Sequence, residues 1–253
     1  MVQERTINEI EYLASHYWPA REIERYYGWI IQWQDGVTWR ANSVLPLAAT
    51  EDELVEDSID YVIDFYDKRN IPPAFKMTEA SIPIALDEIL DEMDFQQRMI
   101  TLFQTVPIEK LVCLDTEVEV DILRVSDETI DTLYHRSMRD EFAIQVRKEI
   151  IHRIKGEKKI ARVMIDGQLA GVGLGVVEDD MMGIFSIRTM PEFRRRGVGW
   201  SINCALSIWG EENGADTAFL QVEADNNPAL ALYEKLGFKT LYTYWYRILE
   251  EPP

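Results

Sequence analysis

Cysteine is nearly absent from this chain. Cys113 and Cys204 are the two among 253 residues, too few for a disulfide scaffold and read as thiols of a reducing, cytoplasmic compartment. Cys204 falls inside an apolar helical pattern, so it reads as a small buried thiol. Histidine is equally scarce: His16, His135 and His152 lie in helical stretches without metal-ligand spacing, and no metal is expected. No window stays apolar for the ~18 residues a membrane span needs, nor does an apolar stretch follow the charged N-terminus as in a signal peptide. Positive charge is also in deficit, with 26 Lys and Arg against 45 Asp and Glu and a net charge of −19. Nucleic-acid binding relies on neutralising phosphates with basic side chains, so it is excluded as a general function. The deficit is uneven, −13 over residues 1–115 and −6 over residues 116–253. An acidic surface steers amine-bearing molecules, and serves solubility or a salty cytosol equally well.

Apolar residues make up 47% of the chain, ample for a core. Residues 1–17 place Ile7, Ile10, Leu13, Ala14 and Tyr17 on one helical stripe. Runs at 28–33 and 37–39 flank Gln34-Asp35-Gly36 and predict a hairpin. A helix through Leu54, Ile59, Val62 and Tyr66, a strand at 74–77, a helix opened by Ser81-Ile82-Pro83 and a strand over 98–106 follow. After Cys113 a new unit begins: an alternating strand over 117–125, two helices across 127–155, and strands at 160–165 and 169–177 hinged by Asp166-Gly167. Gly171, Gly173 and Gly175 share one face of the last strand, which implies close approach by either a helix or a ligand.

The order of elements repeats. Pro46 and Pro191 lie 145 residues apart, Phe75 and Phe219 lie 144 apart, and Pro83 and Pro228 lie 145 apart. A constant offset points to duplication of one αβ unit.

The most informative stretch is 184–200. An apolar strand ends near Thr189, Pro191 stops it, and Arg194, Arg195 and Arg196 lead into Gly197-Val198-Gly199-Trp200 and a helix through Ile202, Leu206 and Trp209. First-turn amides of a helix have no intrahelical partners, and the helix dipole favours an anion there. Glycines let a phosphate approach those amides, and arginine supplies forked donors; a solvated basic turn is the bland alternative. Downstream, Asn226 is followed by Tyr233 and by Gly237-Phe238.

Arg194-x-x-Gly197-x-Gly199 after a strand, with Asn226-x6-Tyr233-x3-Gly237-Phe238 behind it, resembles the two signatures of the GNAT superfamily of N-acetyltransferases. The resemblance implies an α/β fold with a mixed sheet, here as two tandem GNAT-like units: a degenerate domain over 1–115 and a catalytic domain over 116–253. It implies an acetyl-CoA-dependent N-acetyltransferase acting on a primary amine of a small molecule or peptide, by direct attack on the thioester. Main-chain groups of Ile187, Arg188 and Thr189 would pair with the pantetheine arm. Arg194 and the amides of Arg195, Arg196, Gly197, Val198, Gly199 and Trp200 would hold the diphosphate, and Asn226 would touch the arm. Tyr233 would protonate the departing thiolate, or else simply pack its ring. Several family members place a basic glutamate five residues before the asparagine; Gln221 stands there, so Glu223 on the same strand face becomes the candidate base. Ala49 to Glu53, at the offset of the glycine turn, has no glycine or arginine and three carboxylates, so one CoA per chain is expected. The missing glutamate keeps a non-catalytic acyl-CoA sensor or partner-binding module as the alternative. The acceptor and the oligomeric state are not fixed by the sequence, and a homodimer is open.

Overall fold

Thr6 opens the first helix, α1 (Ile7–His16), through a capping box. Its side chain accepts from the Glu9 amide at 3.3 Å while the Glu9 carboxylate accepts from the Thr6 amide at 2.6 Å. The computed structural model describes residues 5–48, 54–114, 116–134 and 140–250. Asp115, His135 and the Ala49–Glu53 segment read as a lost glycine turn lie outside those residues.

Two compact units form, and the chain passes between them several times. Gln3–Leu102, Glu149–Arg153 and Tyr242–Pro253 make the N-terminal unit; Phe103–Lys148 and Ile154–Leu241 make up nearly all of the C-terminal one.

In the N-terminal unit, α1 is followed by β1 (Glu22–Tyr26), β2 (Trp29–Trp33), β3 (Val44–Pro46), α2 (Val55–Asp67), β4 (Ala74–Thr78), α3 (Leu86–Glu92) and the start of β5 (Gln96–Pro107). Its strands run in the order β1-β2-β3-β4-β11, the last being the Tyr242–Ile248 part of β11 (Lys239–Ile248). Trp29, Ile31, Val44, Ile59, Val62, Phe75, Leu86, Leu90 and Phe95 form the core between this sheet and the two helices. Each such side chain contributes about 1.5–3 kcal/mol by leaving water. The expected hairpin is displaced. It turns at Tyr27-Gly28, both at positive φ, and residues 37–39 do not pair as a strand. The Asn42 side chain takes over there, accepting from the Gln34 and Gly36 amides at 2.7 and 3.0 Å and donating to the Gln34 and Thr38 carbonyls. With its backbone satisfied locally, the segment has no need of a partner strand.

The C-terminal unit contains β6 (Asp121–Arg124), α4 (Asp127–Tyr134), most of α5 (Glu141–Arg153), β7 (Glu157–Ile165), β8 (Gln168–Glu178), β9 (Met181–Thr189), α6 (Val198–Glu212), β10 (Thr217–Glu223) and α7 (Asn227–Leu236). Strand order is β10-β9-β8-β7-β6, antiparallel except for the parallel β9/β10 pair. The succession hairpin, strand, helix, strand, helix, strand therefore occurs twice along the chain, giving two tandem GNAT-like units.

Two expectations are corrected in this unit, and one open alternative is decided. Cys113 and Cys204 are not thiols but a disulfide, with Cα atoms 5.7 Å apart, because the segment after β5 passes beside α6. Separation in sequence says nothing about separation in space. The alternating strand shrinks to Asp121–Arg124, since Thr116 hydrogen-bonds Ser201 of α6 (2.6 Å between hydroxyls) instead of joining the sheet. The glycine face of β8 is explained by a helix. A Cβ on Gly171, Gly173 or Gly175 would sit 2.4–3.0 Å from side-chain atoms of Val198, Ile202, Leu206, Ile187 and Met182, so α6 packs directly on the β8 backbone. Among the described residues no helix is long and apolar enough to cross a membrane.

Candidate active site

The site begins where two strands part. The β9/β10 ladder runs from Met181↔Thr217 to Ile184↔Leu220 and stops, although β9 continues to Thr189 and β10 to Glu223. Beyond that point β9 has no β10 partner along Ile187–Thr189, and alternate residues there turn their backbone donors and acceptors to the unpaired edge. The opening coincides with an irregularity on the other side. The β8/β9 register jumps between Val172↔Arg188 and Leu174↔Phe185, and Ser186 takes a positive φ of 52°. A bulge of this kind adds twist and re-aims the strand. Nothing in Phe185-Ser186-Ile187 announces it, because serine is not a residue that positive φ selects.

Past the strand, Pro191–Phe193 makes one 3-10 turn, and Arg194, Arg195 and Arg196 follow, all exposed. Among the described residues none of the three is ion-paired; Arg196 lies over the Phe193 ring at 5.6 Å. Gly197 caps α6 in the left-handed region (φ 80°), with no side chain capping the helix. A side chain at that φ costs about 1 kcal/mol or more, which is the physical reason for glycine. The first-turn amides of Val198, Gly199 and Trp200 are thus left for an external acceptor. A Cβ on Gly199 would lie 3.2 Å from Leu232 Cδ2 and 3.5 Å from Thr189 Oγ1, so this glycine marks where α6, α7 and the end of β9 converge. The Trp200 indole N–H is buried without a hydrogen-bond partner among the described residues.

Leu232 brings the next residue, Tyr233, to the same region. Tyr233 is 8% exposed, its ring meets Phe238 edge-on at 5.8 Å, and burial pushes its hydroxyl up to about 12. It is therefore a neutral donor throughout physiological pH. Asn226 is the N-cap of α7, accepting from the Ala229 amide at 3.3 Å, which is its structural role whatever else it does. Glu223 is exposed at the end of β10, on the far side of the parting from Ile187–Thr189. Gln221 is half-buried on the same strand.

On the opposite face of β9 the structure gives the Arg188 side chain a place, where the sequence reading used only the main chain of that residue. Arg188 pairs with Val172, which alternates with the glycines facing α6, so its side chain lies on the α4 side. There its Nη2 donates to the Leu133 carbonyl at 2.7 Å, and burial lowers its affinity for a proton. An arginine inside an otherwise apolar strand is the signal that could have found it. Among the described residues no three His, Cys, Asp or Glu side chains converge as metal ligands would.

A cavity of about 520 Å³ adjoins the turn, lined by Thr116 to Glu119, Met164, Ile165, Arg196 and Gly197. Its carboxylates Glu117 and Glu119 make it a poor place for phosphate.

Comparison with known proteins bears on the family and the fold. Residues 5–247 match the family described as "Probable histone acetyltransferase Rv0428c C-terminal". The N-acetyltransferase YobR of Bacillus subtilis is 28% identical over 96% of this chain and 98% of its own length. The [ribosomal protein bS18]-alanine N-acetyltransferase of Salmonella typhimurium is 35% identical over 33% of this chain and 57% of its own. Among solved structures, a GCN5-related N-acetyltransferase from Kribbella flavida superposes with a TM-score of 0.73 at 13% identity, over 97% of this chain and 96% of that one.

Proposed function

The chain belongs to the Rv0428c C-terminal acetyltransferase family, within the GNAT superfamily, and from that premise we propose that it uses acetyl-CoA to acetylate a primary amine of a small molecule or peptide. The observation that carries the proposal is the parting of β9 from β10 beyond Ile184↔Leu220, beside a helix opened by an uncapped left-handed glycine. The two together offer an extended edge for an amide-containing arm and a row of free amides for a diphosphate.

In this reading the amides from Arg195 to Trp200 and the three arginines fix the diphosphate, and the β9 edge at Ile187–Thr189 aligns the arm. The acyl donor supplies the activated acetyl group. Glu223, exposed to solvent, takes a proton from the incoming ammonium directly or through water. The amine nitrogen then attacks the acyl carbon and the carbon–sulfur bond breaks. Tyr233 donates a hydrogen bond to the sulfur as negative charge builds there. A hydroxyl pushed up to about 12 is a weaker acid than an ordinary thiol, so it stabilises the leaving thiolate first, yields its proton only as the thiol forms, and is restored by the proton that the acylated nitrogen sheds. The degenerate N-terminal domain contributes no second donor site.

Gln221 at the position where several relatives by fold carry a glutamate favours a second reading, a sensor that binds acyl-CoA without turnover. Thiol release from acetyl-CoA in the presence of a panel of amines separates the two: amine-dependent release supports the enzyme, and tight binding with no release supports the sensor.

A further inference from the structure

Among the described residues Arg188 is a cation without an anion. Its guanidinium is half-buried on the α4 side of β9. One nitrogen, Nη2, is taken up by the Leu133 carbonyl, while Nε is buried with no hydrogen-bond partner among the described residues. Among the described residues no carboxylate lies within ion-pair reach of it. This is unexpected in a chain with 45 acidic side chains, where Arg21, Arg69, Arg162 and Arg247 all find one. A desolvated charge without a partner destabilises the fold, and such groups persist where a ligand supplies the missing half. The position is equally specific. Ile187 and Thr189, its neighbours, face the other way, and the backbone they share is the open edge proposed above for the acyl donor.

We propose that Arg188 binds a carboxylate of the acceptor, so that the amine acetylated here belongs to an amino-acid-like molecule. The inference rests on the acetyl-CoA reading for its chemistry. Amine and carboxylate must reach the acyl carbon and the guanidinium at once. Both lie within the span of one arginine side chain, so few bonds separate them in the acceptor. A planar carboxylate matches the unfilled edge of a guanidinium whose Nη2 is already committed. The competing role is mechanical: Arg188 merely ties down the last turn of α4 through Leu133.

Arg188→Gln separates these roles, since glutamine keeps a donor for the Leu133 carbonyl and loses the charge. The assay follows thiol release from acetyl-CoA with matched acceptors, glycine against glycinamide and a dipeptide against its C-terminal amide. The amide's amine is less basic and less protonated at neutral pH, so intrinsic reactivity runs against the acid. The wild type is expected to favour the acids by at least about tenfold in kcat/KM, expressed through KM. In Arg188→Gln that ratio should fall to within about twofold of unity. The assignment is overturned if the wild type treats acids and amides alike, if the preference survives in the variant, or if acetyl-CoA binds yet no acid is acetylated. If acetyl-CoA itself does not bind, the donor-site reading has failed instead. Calorimetry of N-acetylglycine against N-acetylglycinamide then still reads Arg188: binding of the acid alone, abolished by Arg188→Gln, supports the carboxylate site, and equal or absent binding of both overturns it.

Discussion

Replacing Gly199 by glutamate should move folding and binding in opposite directions. The added Cβ would stand 3.2 Å from Leu232 Cδ2, the free end of a flexible side chain, and 3.5 Å from Thr189 Oγ1. Both can yield by tenths of an ångström. Gly199 lies in the first turn of α6, not in the left-handed position taken by Gly197. A helical glycine costs up to about 1 kcal/mol relative to better helix formers, and a carboxylate in the first turn gains about 0.3–1 kcal/mol from the dipole. Thermal stability should therefore hold or rise slightly. A diphosphate on the same amides meets the new charge. At roughly 5 Å and an effective dielectric near 20, each like-charged pair costs about 3 kcal/mol. Even with half of two such terms lost to solvent, the loss in affinity is about 100-fold. Calorimetric titration with CoA reads it, with circular dichroism and a melt as the folding control and Gly199→Ala as the uncharged control, which should lose little. Affinity within about threefold of wild type in the glutamate variant would refute the placement of the diphosphate.

Tyr233→Phe should lower kcat by about 10²–10⁴ while leaving CoA affinity within a few-fold; equal losses in both would make the tyrosine a packing residue. Because burial pushes Tyr233 up to about 12, the wild-type rate should show no alkaline limb from this group below roughly pH 11, and one near pH 10 would contradict the burial argument. Burial also raises Tyr66, Tyr242 and Tyr246 above the ordinary value of 10.0. The unfolded chain then loses these protons first. Their contribution to stability is complete below pH 10 and disappears as pH rises further, so their ionisation should coincide with loss of near-ultraviolet dichroism rather than precede it. The Cys113–Cys204 link closes a loop of 91 residues and, on the chain-entropy model, stabilises by about 4.6 kcal/mol, or roughly 10–15 °C in Tm. A melt with and without reductant measures this, and two free thiols in the unreduced, unfolded protein would contradict the pairing.

How much of this was legible beforehand follows from the range of the interactions involved. The glycine turn, the Asn226 cap and the Tyr233 helix are set by local rules of backbone conformation and capping, and the residues themselves announce them. The doubled order of elements was legible for the same reason, since turn and helix signals recur at one offset. What the sequence hid depends on residues distant in the chain. Cys113 meets Cys204 because a connecting segment happens to pass beside α6. The hairpin slipped from Asp35-Gly36 to Tyr27-Gly28 because Asn42 satisfies four backbone groups that a strand would otherwise pair. The bulge at Ser186 arises from register between β8 and β9, and the isolation of Arg188 is a statement about which carboxylates are elsewhere. Neither can be read along a single strand.

The most direct test is a crystal structure of the full chain with acetyl-CoA. The diphosphate should lie on the amides between Arg195 and Trp200, the arm along Ile187–Thr189 in the gap between β9 and β10, with one molecule per chain. A donor bound anywhere else, or a second copy in the N-terminal unit, would contradict the account.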